Sequence, residues 1–174
     1  MNITLRPLRW VAVALLLAAP TLLSGQQLVY EREYSLFAGG SNRLTMTLEP
    51  DGTMTVVRPE MMTDSGRLQG KVAAGEYDRL QAALLSMNVR TADLRADLRQ
   101  RLRTELFHVS DVETSRFFSF DANRRVEASI EVDSLQPLAR RFDDDMRLRA
   151  MHDLEQQWWR LMEQVRKETA GQRQ

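Results

Sequence analysis

Few side chains of this chain can do chemistry, and their spacing matches no common active site. It contains no cysteine, which excludes disulfides, thiolate metal ligands and cysteine nucleophiles. Neither His108 nor His152 has a second histidine near it in sequence, so we expect no catalytic residue, no metal site and no bound cofactor. The motifs GxSxG, SxxK and HExxH do not occur. One class of enzyme remains possible, a hydrolase whose active site is assembled from residues distant in sequence. In such a site one histidine would lie beside a nucleophile or a carboxylate.

Charged residues are concentrated in the run RRFDDDMRLR at positions 140–149. Successive helical residues point about 100° apart, so three consecutive aspartates on a helix would not converge on one ion. Arginine and aspartate recur instead four residues apart, as in Arg140–Asp144 and Arg141–Asp145, which is the spacing of ion pairs on a helix surface. We therefore predict a solvated, salt-bridged helix face.

The overall charge argues against a nucleic-acid partner. The chain has 24 basic and 24 acidic residues, whereas a nucleic-acid footprint needs a basic excess. A locally basic stretch between Arg90 and Arg103 is offset by nearby acidic residues. We predict a solvated helix face there, with contact to anionic lipid or an acidic partner as the alternative.

Three apolar residues are candidates for contact with a partner: Met61, Met62 and Trp159. The two methionines lie in a predicted loop, where their flexible side chains suit varied partners, although such residues also tuck beneath a sheet. Trp158 and Trp159 are adjacent on a predicted helix and so face different ways. Trp158 continues the apolar stripe of that helix. Trp159 flanks the stripe, either covering its edge or standing exposed as a partner or membrane-interface contact.

Apolar alternation and turn residues predict strands in the first half of the chain. The predicted strands cover LVYEREYSLF, where Arg32 interrupts the alternation, then RLTMTLE, TMTVVR and RLQGKVA. PDGT at 50–53 predicts a tight hairpin between the second and third. After Gly75 the period becomes helical, and two helices are predicted, the second with Thr91 as its N-cap.

The second half repeats this order of strands followed by helices. ELFHVSD, SRFFSF and VEASIEV alternate as strands, with DANRR as a turn. Residues 133–169 are predicted to be helical, as one helix or two, with Asp133 or Ser134 as the cap. The sequence therefore predicts an α+β fold of antiparallel strand hairpins packed against helices, with a long C-terminal helical segment.

The first residues have the order of a secretory signal peptide. Two arginines precede the apolar run WVAVALLLAAPTLL, and the small residues Ser24 and Gly25 follow it. The run is shorter than the ~20 residues that a membrane-spanning helix needs. A leucine stands where signal peptidases prefer a small residue, which leaves an uncleaved anchor as the alternative. We predict a signal peptide at 1–25, a strand-rich α+β domain at 26–133 and a helical segment at 134–169 that packs on or extends from that domain.

The order of elements resembles a group of small exported bacterial proteins of unknown function. The resemblance runs from about Ser35 to Asp145 and is carried by SLFAGGSNRLTMTLEPDGTMTV, RLQGKVAAGEYDRLQAALL and IEVDSLQPLARRFD. The emfourin protease inhibitors are loosely similar in their strand-and-helix plan. The chain departs from the pattern in lacking cysteines and in its C-terminal extension. The resemblance implies an α+β fold and inhibitor activity, and it implies no catalytic residue.

These features favour an exported, non-enzymatic binding or interaction protein. Export without cysteines indicates a periplasmic or secreted bacterial protein, with no membrane span after cleavage of the signal peptide. Its expected partner is another protein of the envelope. The alternatives are a protease-inhibitor-like module, a hydrolase with a scattered active site, and a membrane-tethered structural protein.

Overall fold

A computed structural model describes residues 25–35, 42–60, 62, 65–105 and 113–171. The strands within these ranges are β1 (Gln27–Tyr34), β2 (Arg43–Leu48), β3 (Thr53–Arg58), β4 (Gly66–Lys71), β5 (Glu113–Phe120) and β6 (Val126–Asp133). The helices are α1 (Glu76–Ser86), α2 (Thr91–Thr104), α3 (Leu135–Arg141) and α4 (Met146–Gly171). The predicted α+β class, with antiparallel strands and a long C-terminal helix, is confirmed.

The strands form one antiparallel sheet in the order β4-β3-β2-β1-β5-β6. Among the six described strands, only the pairing of β1 with β5 joins strands that are distant in the chain, and it places both near the centre of the sheet. Tyr30 of β1 lies between Met46 of β2 and Phe117 of β5. A residue that faces inward on β1 is therefore surrounded by both halves of the molecule.

The predicted hairpin between β2 and β3 is confirmed. Gly52 has a φ of 80°, which favours glycine at this turn position. The carboxylate of Asp51 accepts hydrogen bonds from the backbone N–H and the hydroxyl of Thr53, and it pairs with Lys71 of β4 at 2.7 Å. These bonds hold the pKa of Asp51 at about 2, below its ordinary value, with the Lys71 hydrogen bond as the largest cause.

Helices α1 and α4 pack against one face of the sheet. Along β2, Leu44, Met46 and Leu48 alternate inward as the period of two requires. The predicted stripe of α4 is confirmed, because its members are buried against this face: Met151, Leu154, Trp158, Leu161 and Val165.

A glycine allows α4 to approach β4 closely. A Cβ atom on Gly70 would lie 3.0 Å from a methyl carbon of Val165. The close approach brings the C-terminal half of α4 onto the edge of the sheet.

The Thr91 cap predicted for α2 is wrong because a tertiary partner takes its side chain, whereas Ser134 stands at the N-cap position of α3 as predicted. Helix α2 begins at Thr91 rather than after it, and the Thr91 hydroxyl accepts the backbone N–H of Glu131 on β6 at 3.1 Å. At α3, Ser134 has left-handed backbone angles and forms no side-chain cap bond. The Asp133 carboxylate accepts the hydroxyl of Thr114 at 2.8 Å instead.

The predicted solvated helix face at 140–149 is also wrong, because the helix is interrupted there. Helix α3 ends at Arg141 and α4 begins at Met146, so the four-residue spacing does not produce a continuous face. Asp145 is buried, and its carboxylate accepts the backbone N–H of Arg147 at 3.0 Å, as an N-cap does. Arg101 of α2 pairs with Asp145 at 3.2 Å and so ties α2 to the junction.

Several predictions fall outside the described residues. These are the signal peptide up to residue 24, Met61, the turn at 38–41 and most of the strand predicted from Glu105, including His108. Glu105 itself follows α2 in a turn. Among the helices that the structure describes, none combines the length and apolar character that crossing a membrane requires.

Candidate functional site

A buried carboxylate of α4 organises a set of polar side chains against the centre of the sheet. Glu155 is 1% exposed. Its Oε1 accepts hydrogen bonds from the Tyr30 hydroxyl at 2.6 Å and from the Ser115 hydroxyl at 2.9 Å. Arg32 and His152 approach the same carboxylate. We call these five residues, Tyr30, Arg32, Ser115, His152 and Glu155, the Glu155 cluster.

The geometry of the strands explains why these side chains meet. Tyr30 and Arg32 are two residues apart on β1 and therefore point to the same face, towards α4. Ser115 lies directly opposite Arg32 on β5. Helix α4 crosses above this pair of strands and presents Glu155 to both.

Arg32 joins the buried carboxylate to the surface. Its Nη1 lies 3.8 Å from Glu155 Oε1, and its Nη2 donates a hydrogen bond to Glu113. The guanidinium carbon lies 5.5 Å from the ring centre of Tyr34 and 5.6 Å from that of Trp159, within the range of cation–π contact. The Arg32 side chain is only 11% exposed, so aromatic rings rather than water surround much of it.

The electrostatics of the cluster follow from burial and from the Glu155 charge. Burial, followed by the charge of Glu155, raises the pKa of Tyr30 well above its ordinary value, so the phenol stays a hydrogen-bond donor. Burial alone would lower the pKa of Arg32, but its neighbours Tyr30, Glu155 and Glu113 raise the pKa overall. Arg32 is therefore charged whenever the protein is folded.

His152 lies about one turn before Glu155 on α4, with its Nδ1 3.7 Å from Glu155 Oε2. That separation is too long for a hydrogen bond. Four buried atoms of this region have no hydrogen-bond partner among the described residues: Arg32 Nε, His152 Nδ1, Glu155 Oε2 and Trp159 Nε1. Buried polar atoms are nearly always paired in folded proteins, so these four atoms are available to hydrogen-bond a water molecule or another group.

The arrangement differs from that of a serine hydrolase. In a catalytic triad, an imidazole lies between the serine and the carboxylate. Here Ser115 donates directly to Glu155 and is 2% exposed, so its oxygen is held away from any substrate. His152 lies on the other side of the carboxylate. Tyr30, Ser115 and Glu155 are therefore placed to anchor α4 and to hold Arg32.

The described part of the chain offers no metal centre. Within it, no three histidine or acidic side chains come together as ligands. Arg32 also occupies the position beside Glu155 and Glu113 that a cation would otherwise take. The cluster has its own fixed positive charge.

The predicted contact residues are placed differently from one another. Trp159 is half-buried, packs edge-on against Tyr30 at 6.4 Å between ring centres, and forms the rim of the Glu155 cluster. The sequence left two positions open for Trp159, covering the edge of the apolar stripe or standing exposed. The structure shows that Trp159 is partly buried against the core. Met62 is half-buried in the turn after β3, where its N–H donates to the carbonyl of Pro59 at 3.0 Å. Met61 lies outside the described residues.

Sequence reasoning missed Tyr30, Ser115 and Glu155. The available signals were Arg32 on the inward face of β1 and an acidic residue next to the apolar stripe of α4. Neither shows by itself that the two side chains meet. No protein family, curated protein or solved structure matches this chain.

Proposed function

We propose that this chain is an exported, non-enzymatic binding protein of the bacterial envelope. We propose further that it contacts a partner protein through the rim of the Glu155 cluster. This rim, the Trp159 patch, consists of Arg32, Tyr34, Glu113, His152 and Trp159. The stacking of Arg32 between Tyr34 and Trp159 is the observation that carries the proposal.

The composition of the patch supports this use. Tryptophan, tyrosine and arginine are enriched among the residues that dominate the energetics of protein interfaces, and the two aromatic side chains bury a large area at little conformational cost. Trp159 and Tyr34 are both half-buried, and His152 is 28% exposed at the side chain. The Glu155 cluster beneath fixes Arg32 and Tyr30, so the aromatic contacts are arranged before a partner arrives.

Charge indicates what the partner presents. Arg32 contributes one positive charge, and the carboxylates of Glu113 and Glu155 contribute two negative charges. The formal charge of Arg32, Glu113 and Glu155 together is therefore 1 − 2 = −1. A lysine or arginine of the partner would neutralise it, and we propose a basic side chain at this contact. The N-terminal order typical of a signal peptide supports export.

Site-specific photocrosslinking in living bacteria tests this proposal. A photoreactive amino acid replaces Trp159 in one strain and the neighbouring, exposed Arg160 in a control strain. We expect one discrete envelope-protein adduct at position 159 and none at 160. The adduct is identified by mass spectrometry, and binding is then measured with the two purified proteins.

Affinity measurements with matched variants complete the test. Loss of an interface anchor costs about 2 kcal/mol, so Trp159→Ala should weaken binding roughly 30-fold. Arg160→Ala should leave binding unchanged. Two results would contradict the proposed contact at Trp159. One is equal adducts at positions 159 and 160, and the other is a purified partner that binds the wild-type and Trp159→Ala proteins with the same affinity.

A further inference from the structure

The face of the sheet opposite α1 and α4 carries an apolar patch at one end. Because Phe117 faces the helices, its neighbour Phe118 faces away from them. Phe118 and Phe120 are both half-buried, and their ring centres lie 6.0 Å apart. The strand register places Val29 beside Phe118 and Val126, which is 57% exposed, beside Phe120. We call Val29, Phe118, Phe120 and Val126 the Phe120 patch.

The turn between β5 and β6 adds two cationic side chains at the end of this patch. Arg124 and Arg125 are exposed and form no ion pair within the described part of the chain. The carboxylate of Asp121 accepts the backbone N–H groups of Asn123 and Arg125, each at 2.8 Å. The carboxylate of Glu127 accepts a serine hydroxyl of β5 at 2.9 Å. Both carboxylates are therefore held by hydrogen bonds to the protein, whereas the two guanidinium groups are free for an external anion.

The chain enters the domain beside this same turn. A Cβ atom on Gly25 would overlap the carbonyl oxygen of Ala122, so Gly25 lies directly against the turn. The apolar run Trp10–Leu23 ends two residues before Gly25, a span of about 7 Å when extended. During the export proposed above, that run lies in the membrane. While it is attached, the turn and the Phe120 patch are therefore held at the bilayer surface.

The size and chemistry of the patch favour a lipid surface over a second protein as its occupant. Four side chains, three of them more than half covered, expose far less than the ~800 Å² that each partner of a stable protein interface contributes. Adsorption to a bilayer needs less apolar area when basic side chains add attraction to anionic lipid. Rings that enter the acyl-chain boundary beside guanidinium groups that reach phosphates have the arrangement of such a surface.

We propose that the Phe120 patch and the two turn arginines form a peripheral membrane-binding surface for anionic phospholipid. Phe120 enters the bilayer interface, and the arginines contact lipid phosphates. The surface is separate from the Trp159 patch, because Glu113 and Phe120 lie at opposite ends of β5. The argument from the N-terminal apolar run rests on the proposed export, whereas the argument from the patch itself does not.

Fluorescence quenching by brominated lipid tests the contact. The variant Phe120→Trp is made in the mature chain, residues 26–174, which contains all of the buried core that the structure describes. We expect vesicles of phosphatidylcholine and phosphatidylglycerol, brominated in the acyl chains, to quench the added emission. Val57→Trp is the matched control, because Val57 lies on the same face but on β3, and its emission should not be quenched. The wild-type protein, with Trp158 and Trp159 on the other face, should not be quenched either.

Sedimentation with vesicles then measures the affinity. Arg124→Gln combined with Arg125→Gln should weaken binding to the anionic vesicles about 30-fold and leave binding to pure phosphatidylcholine unchanged. Phe120→Ser should weaken binding to both kinds of vesicle about fivefold, and Val57→Ser should have no effect.

Four results would overturn the proposal. They are unquenched emission of Phe120→Trp, quenching of the wild type, unchanged binding of the double arginine variant to anionic vesicles, and a dimer of the wild type that Phe120→Ser dissociates. Because the mature chain is produced directly, these results do not depend on export. Photocrosslinking at position 159 that persists in Phe120→Ser cells separates this surface from the proposed contact at Trp159.

Discussion

The hydrogen bond between Tyr30 and Glu155 offers the sharpest test of the Glu155 cluster. Tyr30→Phe removes the hydroxyl that donates to Glu155 Oε1 at 2.6 Å. The ring keeps its contacts with Phe117 at 5.1 Å and with Trp158 at 6.1 Å between centres. The substitution therefore isolates the hydrogen bond from the packing.

The expected cost follows from the charge of the acceptor. A buried hydrogen bond to a charged group contributes about 1.5–3 kcal/mol, so Tyr30→Phe should lower the free energy of unfolding by about 2 kcal/mol. Glu155→Gln keeps an acceptor but removes the charge that Arg32 faces, and we expect a similar loss. Because both variants weaken one interaction, the double variant should fall short of the sum by about 1 kcal/mol.

Urea unfolding, followed by tryptophan fluorescence at neutral pH, measures these free energies. The dependence on urea concentration should be the same for all variants, since the packed area does not change. Tyr77→Phe is the matched control: the Tyr77 hydroxyl is buried without a hydrogen-bond partner among the described residues, so its removal should be neutral or slightly stabilising. Additive losses in the double variant, or a Tyr30→Phe variant as stable as wild type, would refute the proposed role of this bond.

Three further outcomes follow from the backbone, the helix junction and the buried phenol. Gly52→Ala should cost about 1–2 kcal/mol more than Gly75→Ala in urea unfolding: both glycines have positive φ, but only at Gly52 would the added Cβ lie 3.0 Å from a carbonyl oxygen. Asp145→Ala removes the cap of α4 and should lower the thermal midpoint by an amount equivalent to about 2 kcal/mol, whereas the exposed Asp143→Ala should be nearly neutral. Burial and the charge of Glu155 raise the pKa of Tyr30, so the unfolded chain releases this proton first and stability should fall as pH rises above about 10. Tyr30→Phe should make that fall, measured by urea titration, less steep by up to about 1.4 kcal/mol per pH unit.

The sequence predicts local structure well where the pattern and its cause are local. The hairpin at Asp51–Gly52 follows from turn chemistry, and the α4 stripe through Trp158 follows from helical periodicity. Thr91 and Asp133 do not cap their helices because their side chains hydrogen-bond to strands distant in sequence, which compete with local capping.

The Glu155 cluster shows a further reason why a site is harder to predict than its elements. Tyr30 and Ser115 are far apart in sequence, with three other strands between them along the chain. They meet only because β1 pairs with β5. Their common acceptor, Glu155, lies on a helix that begins after both strands. The sequence shows that Arg32 interrupts the apolar alternation of β1 at an inward-facing position. That Glu113 and Glu155 are its ion-pair partners becomes clear only once the strand order is known.

Export is the claim on which the proposed envelope function depends most directly. Cell fractionation followed by intact-mass spectrometry of the isolated protein tests it. We predict recovery from the periplasm or medium, with a mass matching residues 26–174. Recovery of the full-length chain from the cytosol, with the first residues still present, would contradict the proposed function.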